Sequence, residues 1–189
     1  MTSESQSLDH NFFLINQPLT LFRLTKTKYA NLSGVGAALA PSRWNRIGEE
    51  AIYTSTEVGT SGHEMLAHTP KDRIPSGLAL MRIRISGQWE TQKNALIDPK
   101  TNACFWFYRS LAEANGAFKR APHFFAGGVN SFAVAVPSVI VPAWNVVLYP
   151  NGIGFWDHVS LESVEPFQFD PRLFPEDTPS EAAQEETQS

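Results

Sequence analysis

Arg43, Tyr53 and Glu64 lie ten and eleven residues apart in SRWNRIGEEAIYTSTEVGTSGHEML, a Gly-, Ser- and Thr-rich stretch from Ser42 to Leu66. Their types define a set of chemical tasks. A guanidinium fork binds phosphate through two parallel hydrogen bonds. A phenol offers a ring for stacking and a hydroxyl for one hydrogen bond. A carboxylate stabilises an oxocarbenium-like centre or activates a hydroxyl nucleophile, as in glycosyl transfer. Each residue also has a plainer role. Arg43 fits a surface arginine paired with Glu49 or Glu50, Tyr53 a half-buried strand tyrosine, and Glu64 a solvated helix face.

Taken together, the three suit a ligand with phosphates, a ribose and an aromatic leaving group, and nicotinamide adenine dinucleotide is of that kind. Other chemistries find less support. No GxGxxG or GxxxxGK[ST] pattern occurs, and GVGAALA lacks the third glycine and a preceding strand, so it reads as a turn. The histidines are His10, His63, His68, His123 and His158. His63 and His68 are five apart, off the spacing of a helical metal pair, so no metal site is expected. Cys104 sits beside Phe105 in an apolar run and reads as a small buried residue. No GxSxG elbow is present.

The elements that must position these side chains follow from pattern. The chain has 189 residues, enough for one domain with one core. Thirteen prolines and twelve glycines imply many turns. The alternation in Thr20–Thr25 predicts a strand, as does Ala51–Ser55. Thr56 to His68 predicts a helix capped by Thr56 and closed before Pro70, with Gly59 and Gly62 tolerated where another element approaches closely. Leu78–Ile85 alternates, with Ala79, Met81, Ile83 and Ile85 on one face and Arg82 and Arg84 on the other, so it predicts a half-buried strand. Phe105–Asn115 predicts a helix ended by Gly116. SFAVAVPSVIVP predicts two β-rich runs around Pro137, and WNVVLYP and VSLESVEPFQF two more. Residues 31–45 predict an irregular loop with a short helical piece. This order has no βαβ rhythm and argues against a doubly wound nucleotide fold.

Charge separates body from tail. Residues 176–189 hold five acidic side chains and no basic ones, whereas residues 1–175 carry 15 basic and 14 acidic residues, a net +1. That body lacks the basic footprint of a nucleic-acid binder. The N-terminus has no signal-peptide pattern, and the apolar stretch Phe132–Leu148 is broken by two prolines, so a cytoplasmic protein with no membrane contact is expected.

The blocks LFRL, SGVGAALAPSRWNRIGEEAIYTST, HEML, VPSVIVPAWNVVLYP and FDPRLF, in this order, resemble the RES-domain family, named for Arg, Glu and Ser residues. The resemblance spans about residues 20–174. It implies an α+β fold: a compact single domain similar to ADP-ribosyltransferases, with a strand-rich mixed core around a split β-structure and peripheral helices. The domain is expected over 12–174, between a flexible lead (1–11) and a disordered acidic tail (175–189). The resemblance implies a toxin of a bacterial toxin–antitoxin pair that cleaves the nicotinamide–ribose bond of NAD+ and depletes it. NAD+ is then a substrate and no cofactor is needed. ADP-ribosyl transfer to a specific protein, or a catalytically weak RES-fold binding module, are the alternatives. The implied partner is an Xre-type antitoxin that covers the site. By motif, Arg43 of RWN, Tyr53 of YTS and Glu64 of HEML match the catalytic positions. Arg43, Tyr53 and Ser138 of VPS match substrate-binding positions. Arg23 of FR matches a supporting contact to phosphate or ribose, or else is a strand arginine paired with an acid. The chain departs from the family pattern after VVL, where YPNGIGFWDH replaces an Asn-Pro followed by histidine, and in the aromatic stretch between Asp98 and Asn130.

Overall fold

A computed structural model describes residues 13, 18–92, 94–120 and 131–175. The expected lead at 1–11, all but the first residue of the acidic tail, and the aromatic run HFFAGG lie outside the described residues. No described helix is long and apolar enough to cross a membrane.

Nine strands form one sheet: β1 (Leu19–Lys26), β2 (Ile52–Ser55), β3 (Leu78–Ile85), β4 (Glu90–Gln92), β5 (Ala95–Ile97), β6 (Cys104–Phe107), β7 (Ser131–Pro137), β8 (Trp144–Leu148) and β9 (Val159–Phe167). Their order is β4-β5-β6-β7-β8-β2-β1-β3-β9, antiparallel throughout except for β6 beside β7. Among the described residues four α-helical elements with stated bounds accompany it: α1 (Val35–Ala38), α2 (Val58–Ala67), α3 (Leu111–Arg120) and α4 (Phe155–His158). The one parallel pair requires a crossover, and α3 lies within it.

The sheet forks in the middle. β1 pairs along its whole length with β3, but meets β2 at the single pair Phe22–Ser55. Beyond that bridge the strands part, and the backbone groups they leave need other partners. The Leu24 N–H donates to Ser61 Oγ of α2 at 2.8 Å. The Thr56 N–H donates to the Trp144 carbonyl at 3.1 Å. Helix α2 is wedged in this fork, with Thr60, Ser61 and Gly62 buried.

Strand alternation sorts the core onto two faces. One face carries Leu21, Ile52, Ile83, Phe105, Phe107, Phe132, Val146 and Leu148. The Phe13 ring inserts among them, edge-on to Phe105 at 5.2 Å and to Trp144 at 5.1 Å. On the other face, Val134, Val136, Val147 and Tyr149 pack beneath Trp44 and beneath Ala114 and Ala117 of α3. That face continues past the fork, where Leu24, Leu80 and Phe169 meet Val58, Met65 and Leu66 of α2.

Several expectations need correction. Phe105–Asn115 is not one helix: Cys104–Phe107 is β6, and the helix starts at Leu111. Phe105 and Phe107 are fully buried on one face while Trp106 turns to the other, which is the period of a strand between two neighbours. The helix begins where Ser110 Oγ accepts the Glu113 N–H at 3.2 Å, and Gly116 lies within it rather than ending it. The run after Pro137 is a loop, and β8 starts only at Trp144. Thr56 does not cap α2: Glu57 holds the cap position without a side-chain bond, and Thr56 Oγ1 donates to Trp144 O at 3.3 Å. Nothing approaches Gly59 closely, and Gly62 faces the Phe169 ring at ordinary contact distance. The buried wedge, not a tight crossing, offsets their cost to the helix.

The segment that departs from the family pattern, YPNGIGFWDH, folds into a corner. Gly152 is required there, because a Cβ would stand 2.3 Å from the Ser131 carbonyl. His158 is buried, its Nδ1 2.9 Å from Ser86 O and its Nε2 3.1 Å from Asp98 Oδ2, off the hydrogen-bond direction. The outermost strand, β9, is mostly exposed. Its Glu162 and Glu165 pair with Arg84 at 2.6 Å and Arg82 at 3.4 Å on β3.

Ser61→Ala strips the partner from the Leu24 N–H inside the fork. It should lower unfolding free energy by about 1–3 kcal/mol, measured by urea denaturation. Unchanged stability would show that α2 is held by its apolar contacts alone.

Candidate functional site

β2, β8 and α2 bring the polar residues together. Ser55 and Asn145 are register partners on β2 and β8, as are Tyr53 and Val147. Paired residues share a face, and residues two apart on a strand stand about 7 Å apart. Tyr53, Ser55 and Asn145 therefore line one face of the sheet, the face over which α2 lies.

From α2, Glu64 reaches down onto that face. Ser138 Oγ donates to Glu64 Oε1 at 2.9 Å, and Asn145 Nδ2 donates to the same oxygen. Ser55 Oγ donates to Asn145 Oδ1 at 2.7 Å. Ser138 Oγ in turn accepts the Ile140 N–H at 3.1 Å. The single proton of Ser138 is thus committed to Glu64, and a lone pair is what it has left for a ligand. Oε2 of Glu64 accepts no hydrogen bond among the described residues. A cavity of about 540 Å³ opens beside Ser138, walled by Arg109, Ser110, Leu111, Pro137, Val139 and Ile140. That is the volume range of small-molecule sites.

Arg43 is presented by a tight turn, Ser42–Asn45, closed by the Ser42 N–H donating to Asn45 O at 3.0 Å. The turn is anchored from below. Trp44 is buried, edge-on to Phe118, and its carbonyl accepts the Tyr149 hydroxyl at 2.9 Å. The buried Asn45 amide donates to the carbonyls of Ala37 and Ala40. The Tyr53 hydroxyl donates to Asn45 Oδ1 at 2.8 Å and accepts the Trp44 N–H at 3.3 Å. Gly34 lets this loop close, since a Cβ there would stand 2.5 Å from the Ala51 nitrogen. Arg43 itself is exposed and has no ion pair among the described residues. Glu49 is taken instead by Arg46, through the Arg46 N–H at 2.8 Å and its guanidinium at 3.4 Å. Burial raises the Tyr53 phenol above its ordinary value, against the opposing effects of the Ser42 hydroxyl, the Trp44 N–H and the nearby Arg43 charge.

The geometry thus joins Glu64 and Ser138 directly, and sets Tyr53 and the Arg43 turn beside them on the same face. Arg23 is placed differently. Alternation along β1 puts it on the side of Leu19 and Leu21, opposite Phe22, and it touches none of the cluster. Among the described residues, its buried guanidinium NH1 has no hydrogen-bond partner and no carboxylate pairs with it. Burial lowers its pKa. Asn145 and Ser55 were missed by sequence reasoning. Their signal was present, because both lie inside the quoted blocks, but only strand register shows that they meet. Cys104 is buried as expected, and burial pushes its thiol up to about 12.

Comparison with known proteins adds the following. The RES domain family matches residues 20–170. Toxin Res of Photorhabdus laumondii subsp. laumondii (strain TT01) is 31% identical over 158 residues, covering 82% of this chain and 97% of that protein. Toxin Res of Pseudomonas putida (strain KT2440) is 27% identical over 154 residues, covering 77% and 94%. Among solved structures, a chain of the M. tuberculosis MbcT–MbcA toxin–antitoxin complex superposes with a TM-score of 0.50 at 16% identity, over 82% of this chain and 86% of that one.

Tyr53→Phe leaves the Trp44 N–H and Asn45 Oδ1 without their shared partner and should cost about 1–3 kcal/mol in a denaturation experiment. The raised phenols also set a pH dependence. Tyr149, like Tyr53, is held above 10 by burial. Their contribution is intact below the unfolded-state value near 10 and is lost as pH rises through the folded values, because only the unfolded chain ionises first. Stability should therefore fall above about pH 10, less steeply in Tyr149→Phe relative to its own value at neutral pH. An identical alkaline slope in both proteins would contradict this.

Proposed function

This chain belongs to the RES-domain family, and on that premise we propose that it is a toxin that cleaves the nicotinamide–ribose bond of NAD+ and so depletes the cellular pool. The observation that supports this most directly is Glu64. It is a carboxylate with one oxygen fixed by Ser138 and Asn145 and, among the described residues, the other open, on the face where Arg43 stands with no ion pair to a described residue.

In this reading the pyrophosphate lies against the exposed guanidinium fork of Arg43. The nicotinamide lies near the Tyr53 ring. The Tyr53 hydroxyl is engaged with Asn45 and Trp44, so Tyr53 works as a wall and as the support of the Arg43 turn. Arg23 adjoins the Phe22–Ser55 bridge but points to the opposite side of β1, so in this reading the phosphate contact falls to Arg43 and not to Arg23.

Cleavage breaks the bond between the ribose C1′ and the pyridinium nitrogen. The bonding pair leaves with nicotinamide, which departs neutral, so no general acid is needed. Positive charge develops on the ribose, where Glu64 Oε2 opposes it. Water then adds at C1′ and releases a proton, giving ADP-ribose, nicotinamide and H+. ADP-ribosyl transfer uses the same site with a protein side chain in place of that water.

We also assign the chain a protein partner, an antitoxin of the Xre type. Val35, Leu39 and Ile47 are 53%, 79% and 73% exposed beside the Arg43 turn, and the Gly48 N–H to Ala38 O bond brings the segments of Leu39 and Ile47 together. An apolar rim at a site's mouth suits a covering protein.

The purified protein should release nicotinamide from NAD+ without any added acceptor. Glu64→Gln should lower kcat on the order of 100-fold or more with little change in KM. Arg43→Ala should act mainly on KM, raising it about tenfold. Near wild-type turnover in Glu64→Gln would remove that residue from the mechanism. Nicotinamide release only when a protein acceptor is added would favour the transferase. No NAD+ loss at high protein concentration, with or without acceptor, would leave a binding module.

A further inference from the structure

Glu64 can only accept hydrogen bonds when ionised, whereas an asparagine amide has one donating end and one accepting end. The Asn145 amide nitrogen must therefore face Glu64, which leaves its oxygen for Ser55, whose hydroxyl donates to it at 2.7 Å. Ser55 is buried on the neighbouring strand, directly across from Asn145 in register. The amide is thus clamped from both ends, by a strand on one side and by the carboxylate on the other. Ser138 donates to the same Glu64 oxygen. Swinging the carboxylate would break two bonds to Oε1 at once, while Oε2 has none to lose among the described residues.

We infer that Asn145, backed by Ser55, is a positioning residue. It holds the Glu64 carboxylate so that Oε2 stays aimed at the reacting ribose. The inference rests on the proposed NAD+ cleavage. It places Asn145 behind Glu64, not against substrate, so its loss should be felt in kcat rather than in KM.

The test measures nicotinamide release from NAD+ by wild type, Asn145→Ala and Asn145→Asp between about pH 5 and pH 8, with melting temperatures as a folding control. Asn145→Ala should lose on the order of 100-fold in kcat at every pH, with KM within about twofold. Asn145→Asp sets two carboxylates at hydrogen-bond distance, and their repulsion makes the second harder to ionise, so that it keeps its proton to a higher pH than an isolated aspartate. This variant should match Asn145→Ala at about pH 8 and regain about tenfold or more as pH falls and the new carboxyl takes a proton to donate. A merely structural residue would give no such acid rescue. Wild-type kcat in Asn145→Ala, or an Asn145→Asp profile parallel to that of Asn145→Ala, overturns the inference. If the wild type releases no nicotinamide, the proposed function falls, and the clamp is judged by NMR of 15N-labelled protein. Asn145 side-chain amide signals that move in both Glu64→Ala and Ser55→Ala support it; signals that stay in place overturn it.

Discussion

A single backbone pair, Phe22–Ser55, joins the two halves of the sheet, and the rest of the site follows from that economy. Had β1 and β2 paired along their full length, the sheet would be continuous and α2 could lie only on top of it. Because they part, the helix sinks between them until Ser61 meets the Leu24 N–H. That depth brings Glu64 within reach of Asn145 and Ser138. An apolar helix face alone would fix the height of α2 loosely. The hydrogen bond to a strand amide fixes it to one position, since an unmade bond at that depth is costly.

Around the fork, polar groups divide into those already satisfied and those still open. The Tyr53 hydroxyl, the Ser138 proton, Ser55 and both ends of the Asn145 amide are consumed within the protein. Among the described residues, Arg43 and Glu64 Oε2 are not. The satisfied set is the larger, and it fixes the Glu64 carboxylate and the backbone turn that carries Arg43. Arg43 sits on a turn two residues wide, yet Trp44, Asn45, Tyr53 and Tyr149 leave that turn little freedom. The long guanidinium side chain supplies whatever adjustment a ligand requires.

Much of this was legible in the sequence. The alternation in Leu78–Ile85 pointed to a strand, and over Met81–Ile85 to its two faces; Leu78–Met81 is buried on both sides, because α2 and Phe169 cover the face that the arginines leave open farther along. Arg43, Tyr53 and Glu64 were legible as types and as motif positions, and the fold does set them on one face. What the sequence concealed was long-range. The span from Phe105 to Phe107 reads as helix because aromatic residues carry no period by themselves; burial between β5 and β7 decides for strand. Asn145 reads as one polar residue in an apolar strand. Its meaning depends on Ser55, ninety residues away, and on Glu64, eighty-one away. Arg23 shows the converse: its motif position is plain, yet alternation along β1 turns it from the residues it was grouped with.

The outer margin of the sheet bears on how copies of this chain behave toward one another. β9 is nine residues long and largely bare, and its backbone could accept a further strand from another molecule. Its sequence works against that. Glu162 and Glu165 are drawn inward to Arg84 and Arg82 of β3, and Pro166 removes a donor near the strand's end. A second β9 laid alongside would bring acid against acid and meet a gap in the ladder. The same ion pairs that stitch β9 onto the sheet therefore discourage the sheet from growing into a fibre.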